Sequence, residues 1–292
     1  MTISKVFVVG GTGNIGTALV KDLLERGVAT TVLVRDPSKA SKLFGDNEKL
    51  SVIQGDYTTL DVYKDNIVGH ERLFFQVSDM NNMAKIKTTF AKIAYEAGVK
   101  QVVDVSSGSV SAPWRKNVIA AAHYYAEKNI YELPDRGYYV ALRPTGFFSN
   151  HFFGDNKTVQ FKGVLFGAEE PDHKTSWISP NDIAHLAANI LTEPVEKHVD
   201  MVYDMTSVRA SGNDRAAAIS RVLGREIKYI QIPFGEAHKN FIDHAHMPHS
   251  MVYAFLESSN DYYPVNPGLA TVLNREPETL EEWFTTNKNA FA

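Results

Sequence analysis

Short apolar runs rich in β-branched and aromatic residues alternate with helical patterns through the first half of the chain. The runs lack the polar and apolar alternation of a half-exposed strand, so they are typical of strands buried on both faces of a parallel sheet. Between them, apolar residues recur at helical spacing, as at Ile15, Leu19 and Leu23. The alternation predicts an α/β fold with a doubly wound, parallel Rossmann-type sheet. The predicted strands cover residues 6–9, 31–34, 50–53, 73–77, 102–105 and 138–142.

The pattern changes after Pro144. Residues 146–176 are dense in Phe, Gly, Asn and Asp, which predicts a long irregular excursion of the kind that often carries function. Beyond it, helices are predicted near 183–191 and 214–223, strands near 201–205 and 226–232, and a last helix after Thr279. We therefore predict a cofactor-binding domain over residues 1–150, to which 178–208 return, and a smaller C-terminal α/β substrate lobe formed by 151–177 together with 209–292.

Composition narrows the classes of function. The 292 residues carry a formal net charge of -4, which supplies no basic surface for direct nucleic-acid binding. The absence of cysteine excludes a catalytic thiol and thiolate-bound metals. No apolar stretch is long enough to cross a bilayer, and the first residues do not read as a leader. We expect a globular protein without a membrane partner, located in the cytoplasm with access to the nucleus left open.

Three glycines lie where the first predicted strand meets the first helix. In the sequence Val-Val-Gly-Gly-Thr-Gly-Asn-Ile-Gly, Gly10 suits a tight turn, Gly13 a close approach to a pyrophosphate, and Gly16 close packing of helix on sheet. The amides at a helix N-terminus favour phosphate. Because the motif opens a chain that keeps alternating, it predicts a dinucleotide site.

The end of the second predicted strand selects the dinucleotide. Arg35 stands where an arginine accommodates the extra phosphate of NADP, and Lys39 follows one helical turn later. Asp36 is interpreted as a helix N-cap ahead of Pro37. The alternative that Asp36 is the ribose-binding acid of an NAD site stays open, and NADP(H) is the predicted cofactor.

The order of these segments resembles the NmrA-like branch of the atypical short-chain dehydrogenase/reductases. The resemblance rests on the glycine loop, the Val34 to Lys39 segment, Gly55-Asp56, and two later segments at 105–108 and 142–150. It implies that Asp56 touches the adenine, that residues 76–78 line the nicotinamide ribose, and that residues 144–147 border the nicotinamide. The expected cofactor contacts are Gly10, Thr12, Gly13, Asn14, Ile15, Gly16, Arg35, Lys39, Asp56, Gln76, Val77, Ser78, Ser106, Lys128, Pro144, Thr145 and Phe147.

A candidate catalytic set follows the fifth predicted strand. Tyr124 and Lys128 are four residues apart, a spacing that places both on one helix face as a proton donor and a cation. Ser107, with Ser109 as the alternative, is the candidate hydroxyl for orienting a substrate oxygen. The alternative is a tyrosine that packs with its hydroxyl in water. A strong acceptor such as a quinone is reducible without the tyrosine, since the cofactor carries the hard chemistry.

Aromatic side chains after the sixth predicted strand suggest an apolar pocket for a small apolar or aromatic substrate. Phe147, Phe148 and Phe152 are the expected pocket residues, and the alternative is that these rings hold the two lobes together. A later cluster of four histidines, at 238, 244, 246 and 249, lacks the companion ligands of a zinc motif, so no metal site is predicted.

Two hypotheses of function remain. The first is an NADPH-dependent oxidoreductase that reduces an apolar quinone or carbonyl compound by hydride transfer. The second is a non-catalytic NADP(H)-binding redox sensor that acts through protein partners, since the family that the sequence resembles contains both kinds of protein.

Overall fold

The structure, a computed structural model, describes residues 5–258 and 263–292 and divides the chain into two compact units. The first unit comprises residues 1–116, 120–143 and 183–204, and the second comprises 117–119, 144–182 and 205–292. The division expected from the sequence, residues 1–150 with 178–208 and residues 151–177 with 209–292, stays a prediction. The assignment of cofactor binding to one unit and substrate binding to the other stays a prediction.

The elements alternate along the chain as the hydrophobic pattern indicated. The strands are β1 (Val6–Val9), β2 (Thr30–Val34), β3 (Leu50–Gln54), β4 (Arg72–Phe75), β5 (Gln101–Val105), β6 (Tyr138–Pro144), β7 (Gly146–Phe147), β8 (Val164–Gly167), β9 (Thr175–Ile178), β10 (Val202–Met205), β11 (Val208–Ala210) and β12 (Lys228–Gln231). The helices are α1 (Asn14–Glu25), α2 (Pro37–Phe44), α3 (Leu60–Ile67), α4 (Met83–Glu96), α5 (Val118–Tyr131), α6 (Asp155–Lys162), α7 (Pro180–Thr192), α8 (Val195–His198), α9 (Gly212–Leu223), α10 (Phe234–Ala245), α11 (His249–Ser258), α12 (Leu269–Leu273) and α13 (Leu280–Thr286).

A seven-stranded sheet organises the first unit. Its strand order is β3-β2-β1-β4-β5-β6-β10, and the registered pairs among its first six strands are parallel. The order reverses between β1 and β4, which is the switch point where doubly wound sheets bind ligands beyond the carboxyl ends of their strands. The predicted doubly wound, parallel Rossmann-type sheet is confirmed.

Two details of the sheet differ from the prediction. The six predicted strands are joined by a seventh, because the strand expected near 201–205 is β10, which pairs beside β6. The run at 50–53 is not buried on both faces: in β3, Ser51 and Gln54 are exposed and the other residues are half-buried. β3 is the edge strand of this sheet. It pairs with β2 on one side and has no neighbouring strand on the other among the described residues.

The second unit carries two small sheets. One has the order β11-β9-β7, with β11 antiparallel and β7 parallel to β9, and the other pairs β12 with β8. Its core combines aliphatic side chains with the aromatic rings of Phe148, Trp283, Phe284 and Phe291, which are buried in one cluster. The helix expected after Thr279 is confirmed as α13, which begins with a capping box between Thr279 and Glu282.

The expectation of a long irregular excursion over residues 146–176 was wrong. This stretch contains β7, a 3-10 helix at Phe148–Phe152, α6, β8 and the start of β9. Gly154 precedes α6 and Gly163 ends it in the left-handed conformation, with φ of +128° and +67°. The glycines that suggested a loop therefore delimit a short helix.

A fully buried ion pair connects α4 to β5. Lys87 Nζ, on α4, lies 2.6 Å from Asp104 Oδ1, and neither side chain is exposed to solvent. The same ammonium donates to the carbonyl of Val105 at 2.9 Å, and the hydroxyl of Tyr139 donates to Asp104 Oδ2 at 2.6 Å. These bonds fix α4 against the carboxyl end of β5.

The pair makes a stability prediction. We expect Lys87→Met to lower the free energy of unfolding by about 3–5 kcal/mol, because it leaves a buried carboxylate without its cation. Lys92→Met on the same helix is the control: Lys92 lies 3.9 Å from Glu96 with both side chains mostly exposed, so its loss should cost less than about 0.5 kcal/mol. Urea unfolding of both variants measures the difference, and equal losses would contradict the role given to Lys87.

Candidate functional site

The glycine loop joins β1 to α1 by an unusually close backbone approach. A Cβ atom at Gly16 would lie 2.2 Å from the carbonyl oxygen of Gly10, and one at Gly10 would lie 2.7 Å from the carbonyl oxygen of Gln76. Gly10 also has a φ of +86°. Both residues must therefore be glycine for the helix to start directly against the strand.

Gly13 is different, because packing within the protein does not require it to be glycine. A Cβ atom there would meet nothing nearer than the Gly10 carbonyl oxygen, at 3.5 Å. Gly13 is exposed and is the extended N-cap of α1, with no side-chain cap for the first amides of the helix. Of its neighbours, Asn14 is exposed, Thr12 is half-buried, and Ile15 is buried as a core residue. Uncapped amides beneath open space form a ready anion site.

Gln76 places an unsatisfied acceptor beside this loop. Its backbone N–H donates to Val9 O at 3.1 Å and its carbonyl accepts from the Tyr57 hydroxyl at 3.3 Å. Its side-chain Oε1 is buried and has no hydrogen-bond partner among the described residues, and it lies 3.8 Å from the Cβ position at Gly13. A buried acceptor without a partner is costly, so this atom points to a ligand or water at the loop.

The strand before Gln76 is shorter than expected. β4 ends at Phe75 rather than at residue 77, so Gln76, Val77 and Ser78 leave the sheet. Val77 is buried and Ser78 is exposed. The three residues therefore form the connection at the carboxyl end of β4, next to the switch point of the sheet.

The end of β2 carries two cations and a capping acid. Asp36 accepts a hydrogen bond from the Ser38 amide at 2.9 Å, and Pro37 is the first residue of α2, which confirms the predicted cap. Hydrogen bonds from Ser38 lower the pKa of Asp36. Arg35 and Lys39 are exposed, and neither has an ion-pair partner within residues 5–258 and 263–292.

Asp56 lies just past the end of β3. Its carboxylate accepts from the Thr58 amide at 2.7 Å and from the Thr58 hydroxyl at 2.6 Å. These two bonds lower the pKa of Asp56, and the positive charge of Arg35 lowers it further. Asp56 is thus an oriented carboxylate at the same edge as Arg35.

A hydrogen-bonded network at the end of β5 was not predicted from the sequence. Ser106, expected as a cofactor contact, is buried, and its hydroxyl donates to Glu127. Glu127 also binds the guanidinium of Arg143 through both of its oxygens, at 2.5 and 3.0 Å. Two residues in the sequence could have indicated this network. Glu127 lies on the same buried face of α5 as His123 and Ile130, and Arg143 is a cation within the otherwise apolar strand β6.

The candidate catalytic residues lie on the connection between β5 and α5 and on α5 itself, and each contacts a neighbouring side chain. The Ser107 and Ser109 hydroxyls are 2.7 Å apart. Tyr124 is 37% exposed and packs edge-to-face against Tyr125. Lys128 is exposed and ion-paired with Glu132, which raises the pKa of the ammonium. Tyr124 and Lys128 share α5, as predicted, and their chemical roles stay predictions.

The remaining predicted residues belong to the second unit. Pro144 is buried, the amide of Thr145 donates to Met205 O at 3.2 Å, and Phe147 lies in β7 beside Ile178. Phe148 is fully buried in the aromatic core, and the Phe152 ring lies 5.1 Å from that of Trp283. For these last two rings the contacts are those of packing within their own unit, and their pocket role stays a prediction.

The histidine cluster forms a pair. His238 Nε2 and His249 Nδ1 are 2.9 Å apart and hydrogen-bonded, whereas His244 and His246 are exposed. Nowhere in the described part of the chain do three metal-ligating side chains come together. Within the same residues, the helices are too short or too polar to cross a membrane.

The sheet order and the glycine turn that opens α1 define an α/β protein of the Rossmann type. The chain belongs to the NmrA-like family, whose model matches residues 2–284, and the resemblance seen in the sequence is confirmed.

Three similar proteins illustrate the range of the relatives. An NAD(P)H azoreductase from Xenophilus azovorans is 28% identical over 276 residues, which cover 94% of this chain and 92% of that protein. An NADPH-dependent quinone oxidoreductase from Escherichia coli, complexed with NADPH, has a TM-score of 0.81 at 20% identity, covering 97% of this chain and all of the other. Nmra, a negative transcriptional regulator in complex with NAD, has a TM-score of 0.74 at 17% identity, with coverages of 98% and 95%. The two structures share the fold.

The glycines make a prediction that needs no ligand. We expect Gly16→Ala to lower the free energy of unfolding by about 1–3 kcal/mol, because its methyl group collides with the Gly10 carbonyl although alanine favours helix. Gly13→Ala should leave stability almost unchanged, since its methyl group makes only ordinary van der Waals contacts, 3.5 Å from the Gly10 carbonyl oxygen and 3.8 Å from Gln76 Oε1. Thermal unfolding of both variants without nucleotide distinguishes them. A Gly13→Ala variant as unstable as Gly16→Ala would mean that packing explains all three glycines.

Proposed function

We propose that this chain is an NADPH-dependent oxidoreductase that reduces an apolar quinone or carbonyl compound by hydride transfer. The observation that carries the proposal is Gly13, a glycine that packing does not require, at the uncapped start of α1. A pyrophosphate is proposed to bind beside Gly13, where the first amides of α1 would supply its donors. The unpaired Gln76 Oε1 next to that position fits a hydroxyl donor of the cofactor.

The choice of NADPH over NADH rests on Arg35 and Lys39. Both are cations at the end of β2 without an ion-pair partner in the described residues, so both are available to a phosphate. Asp36, the competing ribose-binding acid, already accepts the Ser38 amide as the cap of α2. Asp56, with its carboxylate oriented by Thr58, is the proposed contact for the adenine.

Names of the relatives support the substrate class. One is an azoreductase and another a quinone oxidoreductase, and the compounds in these names are flat and conjugated. We infer an apolar or aromatic acceptor for this chain as well. Pro144, Thr145 and Phe147 are proposed to border the nicotinamide, with Phe147, Phe148 and Phe152 as the proposed pocket residues.

The chain's own residues have three tasks in this chemistry. When bound, NADPH supplies the hydride. Reduction of the acceptor also needs a proton, which is added to its oxygen. Tyr124, whose side chain is partly exposed, is the proposed donor of that proton. Ser107 is proposed to orient the same oxygen. Lys128 is proposed to bind the cofactor ribose, which requires its exposed pair with Glu132 to open.

A non-catalytic NADP(H) sensor is the second candidate. It is favoured by the present partners of Lys128 and Ser107, which are Glu132 and Ser109, and by the fold shared with the regulator Nmra. In that case protein partners would bind differently with and without NADPH. A pull-down at both cofactor states tests this reading, and an unchanged set of bound proteins would count against it.

Removing the two cations should reverse the cofactor preference. We expect Arg35→Ala combined with Lys39→Ala to weaken NADPH binding by about 100-fold, because two charge-assisted bonds to the phosphate are lost. NADH binding should change by less than about threefold, since NADH lacks that phosphate. Isothermal titration calorimetry with each nucleotide measures both affinities.

Lys42→Ala is the matched control, because Lys42 is an exposed cation of the same helix. It should leave both affinities near those of the wild type. Equal weakening of NADH and NADPH in the double variant would contradict the phosphate contact, and stronger binding of NADH by the wild type would favour the Asp36 alternative.

Tyr124→Phe tests catalysis directly. With a carbonyl acceptor we expect kcat to fall about 100-fold or more, because a positioned general acid contributes that much, while NADPH binding is unchanged. A strong quinone acceptor should be affected far less, since its reduction depends less on a protein acid. The measurement is the loss of NADPH absorbance across a panel of quinones and aldehydes.

Tyr125→Phe is the control, because Tyr125 is the neighbouring tyrosine with almost the same exposure, 38%. It should retain activity. Similar losses in both variants would show that Tyr124 acts through packing. A wild-type protein that binds NADPH but oxidises it with no acceptor of the panel would overturn the reductase and leave the sensor.

A further inference from the structure

The connection between β5 and α5 ends in a reverse turn with a strained tip. The Lys116 amide donates to the carbonyl of Pro113 at 3.0 Å, which places Trp114 and Arg115 at the two central positions of the turn. Arg115 has a φ of +58°, a conformation that the third position of such a turn normally gives to glycine. Left-handed backbone at a residue with a large side chain is costly and is concentrated at ligand clamps and switches.

Two hydrogen bonds connect the base of this turn to its surroundings. The Ala112 amide donates to Ser109 O at 3.0 Å, and Arg143 Nη1 lies 3.5 Å from the Ser111 hydroxyl oxygen. Arg143 is itself fixed by its two bonds to the buried Glu127. The turn therefore projects from an anchored base.

The tip exposes an aromatic ring next to a cation. Trp114 is 69% exposed, whereas Trp177 and Trp283, the other tryptophans of the sequence, are buried. The Arg115 guanidinium lies 5.6 Å from the centre of the Trp114 ring. A large exposed ring with an adjacent cation suits a flat ligand with an anionic group, because the ring stacks and the guanidinium pairs.

The position of the turn relates it to the proposed chemistry. It belongs to the connection that leaves the carboxyl end of β5, which also carries Ser106 and Ser107. β5 lies next to β4, whose own connection carries Gln76, and the switch point is one strand further on. Ligands of doubly wound sheets bind outside this edge, so the turn lies on the correct side of the first unit.

We propose that Trp114 and Arg115 are substrate-contacting residues, and that the acceptor is a flat aromatic compound with an anionic substituent such as a sulfonate or carboxylate. Trp114 stacks on the ring of the acceptor, and Arg115 pairs with its anionic group. This inference rests on the proposed reductase function and defines its substrate class.

The test uses two acceptors that differ in charge, anthraquinone-2-sulfonate and 2-(hydroxymethyl)anthraquinone. We expect Trp114→Ala to lower kcat/KM for both by about tenfold through the loss of stacking. Arg115→Asn should lower it about tenfold for the sulfonate alone, since asparagine tolerates the left-handed backbone and removes only the charge. The KM for NADPH should stay unchanged in both variants. Phe161→Ala, which removes a 77% exposed ring on α6, is the control and should change neither acceptor.

Direct binding separates this inference from the proposed function. Isothermal titration calorimetry of anthraquinone-2-sulfonate with the NADPH-loaded protein should show binding that Trp114→Ala and Arg115→Asn weaken and Phe161→Ala does not. If the wild type binds the compound in this way without reducing any acceptor, the reductase function fails and the site stands. No binding by the wild type, or equal binding by wild type and both variants, overturns the site whether or not NADPH is oxidised.

Discussion

The close approach of α1 to the end of β1 is the constraint on which the candidate site depends. With only 2.2 Å between the Gly10 carbonyl oxygen and a Cβ position at Gly16, the helix begins where the strand ends. Its first amides therefore lie at the carboxyl edge of the sheet, beside the switch point between β1 and β4. The Gln76 carbonyl oxygen also lies close, 2.7 Å from a Cβ position at Gly10, which brings the β4 connection to the same place. Gly13 is the one glycine of the three that this packing leaves unexplained.

Charged pairs inside the first unit hold that edge rigid. Lys87 and Asp104 fix α4 to β5, while Glu127 links Arg143 of β6 to Ser106 at the end of β5. Each charge has a hydrogen-bonded partner, and all except the half-buried Arg143 are buried, which is the condition under which burial of charge is tolerated. Arg35 and Lys39 differ from these charges. Both are exposed, and neither has an ion-pair partner in the part of the chain that the structure describes. The carboxyl edge of the sheet therefore combines buried ion pairs that connect its elements with exposed cations that a ligand can contact.

Much of the first unit could be predicted because its signals are local. Apolar runs, the glycine turn over residues 10–16 and the Asp36 cap each depend on a few neighbouring residues, and all were found. The second unit was harder, since Gly154 and Gly163 mark the ends of a helix as readily as they mark a loop. The Glu127 to Arg143 pair joins a helix to a strand, so only the tertiary fold brings its members together. The burial of Phe148 among Trp283 and Phe284 has the same origin.

Lys128 shows how one helical spacing serves two partners. It lies four residues after Tyr124, on the same face of α5, and four residues before Glu132, which directly follows the helix. The structure gives the ammonium to Glu132, in a pair that water surrounds. Exposed pairs of this kind contribute little to stability, because solvent screens the charges and the side chains lose freedom in pairing. The pair with Glu132 is therefore compatible with the proposed role of Lys128, in which the ammonium turns from Glu132 to a cofactor ribose.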